Sequence, residues 1–174
     1  MKSARKQLSV SLLVLAAVIF SNSSISAVDM FLDIPGVTGE SKDEARKDQI
    51  DVLAWSWGAS NSLQGKNGFC RIQDIGITKW VDRSSPDLLM ANLTGLTYDS
   101  ATLVVRRAGF EPLEYITVEL TDVRVTSVST GGSGGEDRLT ENISLNFSSG
   151  KFVYIPQGIN GKPLAPVEAV IDGC

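Results

Sequence analysis

The chain has 174 residues, 43% hydrophobic and 21% charged, which fits one packed domain and argues against global disorder. Three of its sixteen basic residues, Lys2, Arg5 and Lys6, lie at the extreme N-terminus; the remainder sets thirteen basic residues against twenty acidic ones, a net charge of −7. Such a body has no basic surplus for phosphates, which argues against nucleic acid as a partner. Histidine is absent, so a Ser-His-Asp triad, a Cys-His dyad and an HExxH zinc site are all excluded.

The basic trio opens the layout of a secretory signal peptide. An apolar run over 8–20 follows, interrupted only by Ser9 and Ser11, and 21–27 are small and polar apart from Ile25. The run falls short of the ~20 apolar residues that a membrane-spanning helix needs. Residues 1–27 are therefore read as a signal peptide cut after Ala27 or Ser26, and 28–174 as one exported domain without stable membrane insertion, periplasmic or secreted. Export would place Cys70 and Cys174 in an oxidising space, where they can form one bridge. The other reading makes Cys70 a small buried hydrophobe and Cys174 a frayed terminal thiol.

Strand patterns dominate the body. Residues 28–34 form a short strand that Pro35-Gly36 ends, and the polar 36–48 read as an exposed loop. A strand over 50–59 puts Trp55 and Trp57 on one face, as core residues. The strand expected over 69–81 changes phase: Cys70 and Ile72 are apolar at even positions, Ile75, Ile77 and Val81 at odd ones, which predicts a bulge near Gln73-Asp74. One helix is expected, with Ser84 or Ser85 as N-cap, Pro86 and Asp87 in the first turn, an apolar face of Leu88, Leu89, Met90 and Leu93, and a stop at Gly95. A strand over 102–107 follows. The strand over 113–128 repeats the phase change, with a second bulge predicted near Thr121-Asp122. Gly131 to Gly135 form a loop, 139–147 alternate cleanly, and 152–155 are apolar on both faces, as in a covered strand. Pro163 and Pro166 confine the last strand to an edge or to the residues after them. Two long bent strands suggest a small closed barrel.

No motif carries chemistry. The run Gly131 to Gly135 lacks the lysine and Ser/Thr of a phosphate loop and precedes a strand rather than a helix. Asp43, Glu44, Asp48, Asp51, Asp74 and Asp82 show neither calcium-loop spacing nor the mark of a buried acid/base pair. Arg106 and Arg107, on opposite strand faces, read as surface or ion-paired arginines. Neither cofactor nor metal is expected, and the chain is not read as an enzyme.

Four stretches carry a family resemblance: AVDMFLDIPGVTGES at 27–41, IDVLAWSWG at 50–58, VDRSSP at 81–86, and 106–147 with RRAGFEPLEYITVEL and VTSVSTGGSGGEDRLTENISLNF. In them the chain resembles the Hcp (haemolysin-coregulated protein) family of bacterial type VI secretion. The resemblance implies a mainly β fold, a small antiparallel barrel of two sheets with one short flanking α-helix. It also implies a homohexameric ring with a central pore, rings stacked into the inner tube of an injection machine, and effectors and sheath or tip proteins as partners. By the same resemblance Gly39, Glu40, Ser41, Lys42 and Asp43 belong to a loop that reaches the neighbouring ring. Two features depart from the family: the signal peptide, and the ending VEAVIDGC at 167–174. An exported binding module that never joins a tube is the alternative function.

Overall fold

A computed structural model describes residues 28–62, 69–107 and 112–172; the expected signal peptide lies outside them. The elements run β1 (Val28–Asp33), β2 (Ile50–Ser56), β3 (Ala59–Ser62), β4 (Phe69–Ile72), β5 (Ile75–Trp80), α1 (Ser85–Thr94), β6 (Thr97–Arg107), β7 (Leu113–Gly131), β8 (Thr140–Asn146), β9 (Ser149–Tyr154) and β10 (Val167–Asp172). Six strands close an antiparallel barrel in the order β7-β6-β1-β2-β5-β8, with β8 returning to β7. The expected barrel is present, and its two sides are parts of one sheet. β9 and β10 extend that sheet beyond the barrel, and β3 with β4 forms a separate two-stranded hairpin.

The 19-residue β7 makes this arrangement possible. One edge pairs with β6. The other edge serves β9 over Ile116 to Thr121, then β8 from Arg124 onward. Between the two partners sits Asp122 at φ 53°, in the left-handed region where a short polar side chain is tolerated best. The apolar phase flips here as expected: Val118 and Leu120 point inward before Asp122, Val123 and Val125 after it. Across Asp122 the pairing with β6 runs through without a shift; register slips occur elsewhere, between Val105 and Arg106 of β6 against β7, and between Val125 and Ser127 of β7 against β8. The change expected at Gln73-Asp74 is a break rather than a bulge. There the chain leaves the hairpin for the barrel, with Gln73 N–H donating to the Gly58 carbonyl at 2.9 Å.

The interior is aliphatic, built on Leu32, Ile50, Ile75, Ile77, Leu103, Val118, Leu120, Ile143 and Leu145, with Trp55 and Trp57 packed against it. Trp57 also donates from Nε1 to the Gln73 carbonyl at 3.0 Å and stacks on Phe152. The expected pairing of both indoles with the core is therefore observed. β9 is less covered than expected: Phe152 packs on the core, but Val153 is only half-buried.

α1 closes one end of the barrel through Leu88 and Ala91. Gly95 ends it at φ 68°, its N–H donating to the Ala91 carbonyl. Leu89, Met90 and Leu93, expected on the apolar face, are exposed instead. A helix of this length turns only one narrow stripe onto a barrel mouth, and Leu88 and Ala91 fill it. Ser84 occupies the N-cap position without a cap bond; its Oγ donates to Asp82 Oδ1 at 2.5 Å.

That serine belongs to a buried polar knot. Lys79 lies at an inward position of β5, fully buried. Its Nζ donates at 2.7 Å to Glu141 Oε1, Asp82 Oδ1 and the Trp80 carbonyl, and at 3.3 Å to Ser85 Oγ. Ser85 Oγ donates to Glu141 Oε1 at 2.7 Å. One cation thus ties β5, β8 and the entry of α1 together. The sequence hides it, because Lys79 reads as the polar lapse in an apolar alternation. Removing one member of a buried ion group strands the others, at a cost of about 3–5 kcal/mol. Lys79→Met should lower unfolding stability by that order in urea titrations at neutral pH; a loss below about 1 kcal/mol would show that the knot does not hold the helix in place.

Candidate functional site

The loop between β1 and β2 is a strap. Its two legs run antiparallel: Gly39 N–H donates to the Asp48 carbonyl at 2.7 Å, Ser41 N–H to the Gln49 carbonyl at 3.0 Å, and Asp48 N–H to the Ser41 carbonyl at 3.1 Å. A Cβ on Gly39 would lie 2.3 Å from the Gln49 carbonyl oxygen, so only glycine lets the legs close. At the tip, Asp43 Oδ1 accepts from the N–H groups of Ala45 and Arg46 at 3.0 and 3.1 Å.

Ion pairs hold the tip to the outer wall of the barrel. Arg106 and Asp29 face each other in the β1–β6 register, as do Val104 and Phe31. Period-2 alternation puts all four on the outer face, opposite Leu32 and Leu103. Arg106 donates from Nη1 to Asp43 Oδ1 at 3.0 Å, from Nη2 to Asp43 Oδ2, and from Nη2 to Asp29 Oδ2 at 3.0 Å. Its guanidinium stands 5.0 Å over the Phe31 ring. A second pair joins Arg46 Nε to Glu114 Oε1 at 3.0 Å. Phe31 and Val104 are 4% and 2% exposed although they face outward, on the wall where the strap is moored.

The hydrogen bond from Arg106 holds the Asp43 carboxyl below its ordinary 3.8, and the two carboxylates push the guanidinium further up. Arg106 is thus ion-paired, one of the two roles its sequence context allowed; that it moors a loop 63 residues away in the chain could not be read there. Arg107 lies over the Tyr115 ring at 5.5 Å.

The loop expected to be exposed throughout is therefore half anchored. Gly39 and Ser41 are buried, Asp43 is half-buried in its ion pairs, and Glu40 and Lys42 point to solvent. The β3–β4 hairpin lies outside the barrel's sheet, its two strands pair with each other, and it is exposed along nearly its whole described length, with an exposed Phe69. Cys70 lies on β4; Cys174, its expected partner, lies outside the described residues. Among the described residues no group of three or more His, Cys, Asp or Glu side chains is placed to hold a metal.

Asp43 gives the strap a pH dependence. A carboxylate whose folded pKa is depressed stabilises the folded form above its ordinary pKa, and that contribution is lost as pH falls through the lower folded value. Acidification from about pH 5 to about pH 2 should therefore lower the protection of the tip amides of residues 43–46 against hydrogen exchange, measured relative to an unstructured peptide at the same pH. Asp43→Asn should show the low protection at both pH values. Equal protection at both pH values in the unsubstituted chain would mean that the clasp does not hold the tip.

Known proteins share this architecture. A family model described as "Type VI secretion system effector, Hcp" matches residues 31–154. The protein Hcp1 of Pseudomonas aeruginosa is 50% identical over 142 residues, which cover 78% of this chain and 88% of that protein. Among solved structures, a type VI secretion system effector from Yersinia pestis superposes with a TM-score of 0.70 at 33% identity, over 83% of this chain and all of that one. Hcp1 from Salmonella typhimurium gives 0.66 at 33% identity, over 83% and 94%.

Proposed function

Since this chain belongs to the Hcp family of type VI secretion, whose members are structural tube proteins rather than enzymes, we propose that it works by contacting copies of itself, as a homohexameric ring able to stack. The observation that carries this reading is a closed, filled barrel whose exposed features lie outside it: the solvent-facing Glu40 and Lys42 of the strap, the β3–β4 hairpin and the outer side of α1. A barrel packed with aliphatic side chains leaves no interior for a small ligand, so function falls to the outside. The ring pore, rather than the barrel, would carry effectors, and sheath or tip proteins would meet the ring from outside.

In this reading the strap residues Gly39, Glu40, Ser41, Lys42 and Asp43 serve ring-to-ring contact in two ways. Gly39, Ser41 and Asp43 fix the shape, and Glu40 and Lys42 present charge. The β3–β4 hairpin with its exposed Phe69 is a second stacking element, favoured because it lies outside the barrel's sheet.

The N-terminal basic trio and apolar run favour Sec export, with residues 1–27 removed. An exported ring that never joins a tube then follows if the protein accumulates in the periplasm. In that compartment Cys70 and Cys174 would pair within one chain.

Light scattering on size-exclusion fractions of residues 28–174 should give the mass of about six subunits, as a closed ring requires. A strict monomer at high concentration would end the ring reading. Glu40→Arg should leave that mass unchanged and weaken higher assemblies; loss of the hexamer itself would move the strap into the subunit interface. The exported chain should weigh about 2 Da less than its reduced form, the two hydrogens that one bridge removes. Two free thiols after purification from the periplasm would rule the bridge out.

A further inference from the structure

A two-stranded hairpin is marginal in water unless one of its faces packs on something else. In the β3–β4 hairpin Ala59–Ser62 are exposed throughout, and on β4 only Ile72 is half-buried. Its base is well fixed: the Gln73 N–H donates to the Gly58 carbonyl at 2.9 Å, and the Trp57 indole donates to the Gln73 carbonyl at 3.0 Å. Beyond that base the described strands offer no buried side chain to hold the arm. Cys70 stands there, opposite Asn61 in the ladder.

Cys70 is placed to supply the hold. It is a half-cystine rather than a thiol, which agrees with the pairing to Cys174 proposed above. Cys70, Arg71 and Gln73 line one surface hollow together with Asn146, Phe147 and Ser148 of the turn between β8 and β9. β10 ends beside the same turn, because Asp172 pairs with Ser149. Cys174 comes two positions after Asp172, within roughly 7 Å of it even in a fully extended chain. Neighbouring strands lie about 5 Å apart, so chain length alone confines Cys174 to the surroundings of that hollow.

Two features make such a bridge switchable. Cys70 is exposed, so an incoming thiolate can reach its sulfur. The barrel itself closes through paired strands over an aliphatic core and does not depend on the bridge. Opening it therefore acts on the hairpin and leaves the barrel in place.

We propose that the Cys70–Cys174 bridge is a redox latch on the β3–β4 hairpin: closed, it pins the arm in its docking conformation, and open, it lets the arm lose order, so that stacking of rings follows the thiol state of the compartment. The inference rests on the ring reading and on the stacking role given to the hairpin above, and adds their control. An arm ordered beforehand docks at a lower entropic cost than one ordered on contact. Rings stack in an oxidising space and stay separate where thiols are kept reduced.

Closure needs a disulfide oxidant such as oxidised glutathione. One protein thiolate attacks it, forming a mixed disulfide and releasing one glutathione; the second protein thiolate then displaces the other. The two electrons and two protons given up by the protein thiols end on the two glutathione thiols. Opening by a dithiol runs the same exchange in reverse, and the dithiol becomes the disulfide.

Residues 28–174, equilibrated with oxidised glutathione or with dithiothreitol, test the latch beside Cys70→Ser and Cys174→Ser, which cannot close it. The oxidised parent should protect the hairpin amides of residues 59–62 and 69–72 against hydrogen exchange about tenfold or more better than the reduced parent, with β5 amides unchanged. Hexamer mass should be the same in every sample. The concentration for half-stacking should rise about tenfold or more in the reduced parent and in both serine variants. Oxidised glutathione should restore stacking to the parent and not to the serine variants. Hairpin protection and stacking indifferent to thiol state would overturn the latch and leave the ring reading intact. A parent that keeps two free thiols in oxidised glutathione, or that bridges between chains, would overturn it as well. So would hexamers lost on reduction, since the bridge would then serve the ring's own closure. A parent that is monomeric in both states would overturn the ring reading, and with it the stacking that the latch governs.

Discussion

The structure depends on how β7 divides its hydrogen bonds. Its nineteen residues serve β6 along one edge, and β9 then β8 along the other. A strand has only two edges, so three partners require a handover. It occurs around Asp122, whose left-handed backbone turns the inward-facing positions from even to odd. Barrel closure through β8 follows from this handover, as does the exclusion of β9 and β10 from the barrel.

Two ionic devices attach the remaining parts, and they differ in kind. The Lys79 knot centres on a fully buried cation; it fixes where the helix begins relative to the barrel. A buried cation held by two carboxylates and a carbonyl adds geometric definition rather than much net stability, because desolvation offsets the attraction. The Arg106 clasp sits at the surface and joins two elements distant in sequence. With Asp43 and Asp29 about one guanidinium, and Phe31 beneath it, the clasp turns a polar loop into a shaped strap. Its energy is that of partly exposed pairs, which suits an element shaped for contact better than one carrying the fold.

Surface chemistry and family membership agree. The barrel interior is filled by aliphatic side chains, so its chemistry is presented on its outer surfaces. The outer side of α1 exposes Leu89, Met90 and Leu93, and the β3–β4 hairpin exposes Phe69.

The sequence by itself determined the strand alternation, the positions where two strands change phase, the helix between Ser84 and Gly95, the core placement of Trp55 and Trp57, and the edge position of the last strand. Each is local: side-chain period, turn chemistry and caps are written in neighbouring residues. Only the tertiary structure decided that the break at Gln73-Asp74 sends the chain into a different sheet, that Leu89, Met90 and Leu93 stay outside, that Lys79 is buried, and that Arg106 holds Asp43. These outcomes depend on pairs separated by up to 63 positions and on the size of the barrel mouth. Periodicity states which side of an element is apolar, but what that side meets is fixed by closure of the sheet in space.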